Sequence, residues 1–211
     1  NTRAAATVGP TFRLVNDATY NKLDYLNIQG QNISTTSGTI FFNGTTGTLG
    51  NSYNTISNCH IRDRSDVTGL PLNGIYSAGT APATSNAYNN ISNNHIYNNF
   101  VATATGYGVY AAVNNIGWTI EGNHIYQTAS RAGTGAVIRY GIQVNSTGTG
   151  STGFKITGNY IGGSQANAGG TAMTYAGNVN QSYQGIYIAT LAAGKNLVSG
   201  NYIRNISLNH G

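Results

Sequence analysis

Residues Asn89–Asn98 read NNISNNHIYN. The same apolar spacing returns in NTISNCHIRD (Asn54–Asp63), WTIEGNHIYQ (Trp118–Gln127), FKITGNYIGG (Phe154–Gly163) and NLVSGNYIRN (Asn196–Asn205). A fainter copy, KLDYLNIQG, spans Lys22–Gly30. Aligned on their first apolar residue, the copies give the column Leu23, Ile56, Ile91, Ile120, Ile156 and Val198. Five residues later each has a second: Ile28, Ile61, Ile96, Ile125, Ile161 and Ile203. Side chains on an uninterrupted strand share a face only at even spacing, so an odd interval demands a turn inside the phrase. Asn58, Asn93, Gly122, Gly158 and Gly200 lie two positions after the first apolar residue. Gly and Asn are the residues that tolerate the left-handed backbone region, so this column predicts a sharp bend. A period of this kind sets the architecture before other features are weighed.

The column after the bend is Cys59, Asn94, Asn123, Asn159 and Asn201, with Leu26 in the faint copy. Amides repeated at one bend can hydrogen-bond to the coils above and below, and can satisfy backbone groups that the bend leaves unpaired. A second phrase alternates with the first: GTIFF (Gly38–Phe42), NGIYS (Asn73–Ser77), YGVYA (Tyr107–Ala111), YGIQV (Tyr140–Val144) and QGIYI (Gln184–Ile188). Each repeat therefore holds three short strands, which predicts an all-β, right-handed parallel β-helix of about six coils. Six coils at the sheet spacing give a stack about 29 Å long. The apolar columns are expected inside, with Ser57, His60, Arg62 and Tyr76 and their counterparts outside. The expected division is an N-terminal segment over 1–21, a cap or junction, followed by the β-helix over 22–211.

The pattern N-x-I-x-x-N-x-I…G-I resembles the parallel β-helix repeat family, from about Lys22 to Asn205. The wording of GNSYNTISNCHIRDRSD, SNNHIYN and ITGNYIGG looks closest to the repeat regions of very large secreted bacterial surface proteins. That resemblance implies an extracellular or bacterial cell-surface location. It decides function less than fold, because pectate-lyase-like enzymes, phage tailspikes and adhesins share the repeat.

Composition fits an extracellular solenoid. Only 7% of the 211 residues are charged, and 29 are Gly. The net charge of +5 reflects few acids; no basic stripe with interleaved aromatics suggests a nucleic-acid partner. The single Cys allows no intrachain disulfide. No apolar run approaches the roughly 20 residues of a membrane-spanning helix, so membrane insertion is not expected. The sequence opens at Asn1 rather than Met, which suggests processing or a longer parent chain.

The first apolar residues are spaced 33, 35, 29, 36 and 42 apart, so the connections vary while the strands do not. The longest connection is Gly162–Ser182. An insertion on one side of a repeat stack marks a binding side or simply covers the neighbouring coil.

Catalysis on such a scaffold needs clustered acids. This chain has five: Asp17, Asp24, Asp63, Asp66 and Glu121. No two fall in equivalent columns of adjacent coils, so stacking alone assembles no carboxylate pair of the glycosidase kind. The only dense group is Arg62, Asp63, Arg64 and Asp66. With the long loop it forms the alternative reading, a polysaccharide lyase or glycoside hydrolase. His60, His95 and His124, continued by Tyr160 and Tyr202, suggest a metal site. Neighbouring sheet residues point in parallel rather than converging, however, so a ladder of planar rings fits better. No metal or cofactor is expected. Phe41, Tyr76, Tyr110 and Tyr187 form an outward aromatic column and are the glycan-binding candidates. Phe12, Leu14 and Val15 lie outside the coil pattern and are the candidates for reaching across an end-to-end junction. The leading expectation is a non-enzymatic structural or adhesive module, part of a large surface adhesin or a filament subunit. Its expected partners are its own copies end to end or flanking domains of a longer chain, with glycans as a further candidate.

Overall fold

A computed structural model describes residues Thr2–Arg3, 9–66, 68–191 and 193–210. Three parallel sheets run the length of a coil stack. The first holds Lys22–Asp24, Thr55–Ser57, Asn90–Ser92, Thr119–Glu121, Lys155–Thr157 and Leu197–Ser199. The second holds Thr2–Arg3, Asn27–Gly30, His60–Asp63, His95–Tyr97, His124–Tyr126, Tyr160–Ile161 and Tyr202–Ile203. The third holds Phe12–Leu14, Ile40–Phe42, Asn73–Ser77, Tyr107–Ala111, Ile138–Ser146 and Ser182–Thr190. One strand from each makes a coil, so the chain is a parallel β-helix of about six three-strand coils.

The strand registers reproduce the repeat alignment. Leu23, Ile56, Ile91, Ile120, Ile156 and Val198 pair in sequence along the first sheet. Ile28, Ile61, Ile96, Ile125, Ile161 and Ile203 do so along the second. Ile40, Ile75, Val109, Ile142 and Ile186 do so along the third. The bend between the first two sheets is left-handed in every copy, with φ of 54° at Asn58, 55° at Asn93 and 63° at Gly122. The glycine of the second phrase has a steric cause. A Cβ at Gly108 would stand 2.6 Å from the carbonyl oxygen of Gly141, and one at Gly141 2.6 Å from that of Gly185. Successive coils approach too closely there for any side chain.

The core is a set of single-residue columns, in which Ile28, Ile75, Ile91, Ile96, Ile120 and Ile156 show no more than 1% exposure. Trp118 and Phe154 fill the corner where other coils place Asn, and Trp118 packs edge-on against Phe42 at 4.8 Å.

Two features differ from the sequence reading. Phe12–Leu14 is a strand of the third sheet, in register with Ile40–Phe42, and Leu14 is buried. The coil pattern therefore begins before Lys22, inside the segment assigned to a cap or junction. Its copy lacks the Gly-apolar-Tyr phrase, which hid it. The Gly162–Ser182 connection, in turn, is not bare loop. Its strand Met173–Gly177 lies between Arg131–Ala132 and Ile206–His210 in an additional parallel sheet. Met173 and Tyr175 form a second core with Phe100. The insertion covers neighbouring coils.

Candidate functional site

The bend column forms a continuous amide ladder. The backbone N–H of Asn94 donates to Asn123 Oδ1 at 3.0 Å, that of Asn123 to Asn159 Oδ1 at 3.0 Å, and that of Asn159 to Asn201 Oδ1 at 2.9 Å. Each side-chain amide also donates to the next oxygen and to a carbonyl of the preceding coil; Asn123 Nδ2 reaches Ile91 O at 2.8 Å. Asn94, Asn123 and Asn159 are fully buried, so these bonds satisfy groups with no access to water. Cys59 keeps the pattern in part. Its N–H donates to Asn94 Oδ1 at 2.9 Å, and its Sγ lies 3.6 Å from Leu23 O, where an amide would donate. Burial pushes its thiol pKa up.

A second left-handed bend precedes the first five strands of the first sheet, and sequence reasoning missed it. Its column is Tyr20, Tyr53, Tyr88, Gly117 and Gly153, with φ of 58°, 59°, 53°, 62° and 80°. It carries its own ladder: Asn21 N–H donates to Asn54 Oδ1 at 2.9 Å and Asn54 N–H to Asn89 Oδ1 at 2.8 Å. Tyrosine is an unusual occupant of this backbone region. The three rings stack, 5.0 Å apart from Tyr20 to Tyr53 and 5.4 Å from Tyr53 to Tyr88. They are 76%, 47% and 54% exposed. The recurring dipeptide Tyr-Asn was the available signal.

The aromatic column proposed for glycans is differently placed. Tyr76 is buried at 7% exposure, while Tyr187 is 37% exposed. Phe41 and Tyr110 cover Tyr76 edge-on at 5.7 and 5.2 Å. Tyr107 and Tyr140 join the same band. An outward direction on the sheet is therefore not the same as an open ring face, because adjacent coils close over one another. Ser57 likewise points outward yet is buried, donating to Asp24 Oδ1 at 2.8 Å.

The histidines form a ring ladder. His60 and His95 stack at 4.6 Å, His95 and His124 lie 4.7 Å apart, and Tyr160 and Tyr202 continue the column at 5.1 and 5.0 Å. Burial, then the neighbouring His124 and His60, lowers the His95 pKa to about 4. Burial also lowers that of His124, whose Nδ1 accepts the Asn167 N–H at 3.1 Å. His95 and His124 are thus held as neutral imidazoles near neutral pH. No cluster of three His, Cys, Asp or Glu suited to a metal ion occurs among the described residues.

The Arg62–Asp66 group separates into two local pairs. Arg62 Nε lies 3.2 Å from Asp63 Oδ1, and its guanidinium sits over the Tyr97 ring at 5.2 Å. Arg64 grips Asp66 through two bonds of 3.0 Å. Asp63 also accepts from Asn98 Nδ2 at 3.0 Å. Asp17 and Asp24 are engaged elsewhere. Asp17 takes the Thr45 hydroxyl and the Thr48 and Gly50 N–H groups, which lowers its pKa. Asp24 holds Lys22 at 2.8 Å with Asn58 and Ser57, which brings its pKa to about 2. Glu121 is exposed.

Arg139 also escaped the sequence reading. It is 3% exposed, and its guanidinium is held by an amide oxygen and two backbone carbonyls. It donates to Gln181 Oε1 at 2.6 Å and to the carbonyls of Val101 and Ala102 at 3.1 and 3.3 Å. The rings of Phe100 and Tyr175 lie 4.6 and 5.2 Å from its guanidinium carbon. It ties the connection after His95–Tyr97 to the Gly162–Ser182 insertion.

No family model, curated protein or solved structure matches the chain. No helix among the described residues is long and apolar enough to cross a membrane.

Proposed function

We propose that the chain is a non-enzymatic structural or adhesive β-helix module, part of an extracellular surface adhesin or a filament subunit. One observation carries this reading. The ladder amides bond one another, the imidazoles stack, and Arg62, Arg64 and Lys22 each hold a local acid. Such an arrangement suits a rigid rod. The test is turnover of polygalacturonate, alginate and neutral glycans, with and without calcium. No product is expected. Product that disappears on Asp63→Ala or Arg64→Ala overturns the reading in favour of a lyase or hydrolase.

Glycan binding without turnover is a second reading, and the ridge of Tyr20, Tyr53 and Tyr88 favours it. Exposed aromatics in a costly backbone region often have a role beyond folding. A glycan-array signal abolished by Tyr53→Ala supports it; a signal unchanged by that substitution refutes it.

A further inference from the structure

Beneath the Gly162–Ser182 insertion lies a small cavity. Asn99, Gln127, Arg139, Met173, Tyr175 and Tyr183 contribute to its wall. It leaves about 10 Å³ for the centre of a water-sized sphere, which is the room a single water molecule needs. The site is internal: none of Asn99, Gln127, Arg139, Met173 and Tyr175 is more than 8% exposed. Three parts of the fold meet there. Asn99 belongs to the connection after His95–Tyr97, Arg139 to the third-sheet strand Ile138–Ser146, and Met173 and Tyr175 to the strand of the insertion.

Two polar atoms of this wall have no hydrogen-bond partner among the described residues. They are Asn99 Oδ1 and Arg139 Nε. The other polar atoms of both side chains are spent. Asn99 Nδ2 donates to Leu72 O at 3.5 Å, and the two Nη atoms of Arg139 donate to Gln181 Oε1 and to the carbonyls of Val101 and Ala102. The Gln127 amide in the same wall is also occupied: its Nε2 donates to Asn99 O at 2.9 Å, and its Oε1 accepts from Arg131 Nε at 2.9 Å. Buried polar groups left unpaired are costly, and a cation most of all.

The two unpaired atoms are of opposite kinds. Arg139 Nε–H is a donor, and Asn99 Oδ1 is an acceptor. An anion would suit the guanidinium but meet the lone pairs of the amide oxygen. A cation would suit the amide oxygen but meet the guanidinium charge. An apolar group satisfies neither. Water accepts from one and donates to the other, and its size matches the space.

We propose that this cavity is a binding site for one water molecule, which accepts from Arg139 Nε and donates to Asn99 Oδ1. The water completes the set of bonds around the Arg139 guanidinium, whose faces Phe100 and Tyr175 already cover. It joins the connection after His95–Tyr97 to the third sheet at a point where no direct bond between the two side chains does so. The site goes beyond the structural-module reading and does not depend on it.

A high-resolution crystal structure of the whole chain tests the proposal, together with a second crystal soaked in bromide. Density for one water within hydrogen-bonding distance of both Arg139 Nε and Asn99 Oδ1 is expected, with no anomalous bromide peak in the cavity. Asn99→Leu removes the acceptor and should lower the folding equilibrium constant about tenfold in urea unfolding. Asn99→Asp keeps an acceptor and should retain the water in its crystal structure. The parent structure decides the matter even if a variant fails to fold. A bromide peak at Arg139 Nε overturns the proposal in favour of an anion site. A cavity without density, or a direct bond from Arg139 Nε to a protein oxygen, overturns it outright. None of these results touches the non-enzymatic reading, which depends on turnover.

Discussion

Ile96 and Ile203 occupy the same column in nearly the same phrase, yet one has 0% exposure and the other 48%. Ile96 lies between Ile61 and Ile125, paired on both sides. Ile203 is paired on one side only, with Ile161. The residue, the strand and the inward direction agree; the difference is a missing neighbour. In a one-dimensional stack, stability comes from each coil's contact with the coils on either side. An interior position therefore carries two interfaces and a terminal one carries a single interface.

The largest expected effect comes from breaking an interior column. Ile96→Asp puts an unpaired charge among fully buried isoleucines and should abolish the cooperative unfolding transition. Ile203→Asp, half exposed, should fold with a modest loss. Equal losses for the two would refute the contrast between interior and end.

The amide ladder sharpens the same comparison. Asn123→Ala removes donors and acceptors to Asn94, Asn159 and Ile91 in a fully buried site, and should destabilise by roughly 3 kcal/mol in urea unfolding. Asn201→Ala, at the partly exposed end of the ladder, should cost only about 1 kcal/mol, because water replaces what is lost. Thr119→Ala, outside the ladder, should be nearly neutral.

Acid should weaken the middle of the stack. The folded-state pKa of His95 lies near 4, below its ordinary value of 6.5. The unfolded chain therefore binds the proton first, and stability falls as pH drops from about 6.5 toward 4. Above that window the contribution is fully present. The thermal midpoint should decline across the window in the parent and decline less in His95→Tyr, which copies the Tyr160 position. An identical pH profile in both would show that the imidazole stack is not the source.

The smallest effect should come from Cys59→Asn. The side chain points along the ladder, with Leu23 O in place to accept from an amide, so the substitution should be neutral or slightly stabilising. A loss above about 1 kcal/mol would show that the first coil cannot accept the amide.

The three sheets, their register and the first bend were legible in the sequence. They depend on columns of like residues, and like residues stacked at one spacing report the period directly. The second bend was harder to read, because Tyr20, Tyr53 and Tyr88 stand where Gly or Asn is the usual signal. Phe12–Leu14 was hidden because one coil's strand without its accompanying phrase has no period. Tyr76 was misplaced on the surface because strand parity gives direction, whereas exposure depends on what the adjacent coils lay over it.

The sequence by itself determined the parallel β-helix, the amide ladder and the absence of acids in adjacent equivalent columns. These follow from periodicity, which is a local and repeated property. Only the tertiary structure decided that the Gly162–Ser182 insertion is a covering strand. It alone placed Arg139 between two rings and closed Phe41 and Tyr110 over Tyr76. Each of these depends on which unlike residues meet across coils, and a repeat pattern carries no record of such meetings.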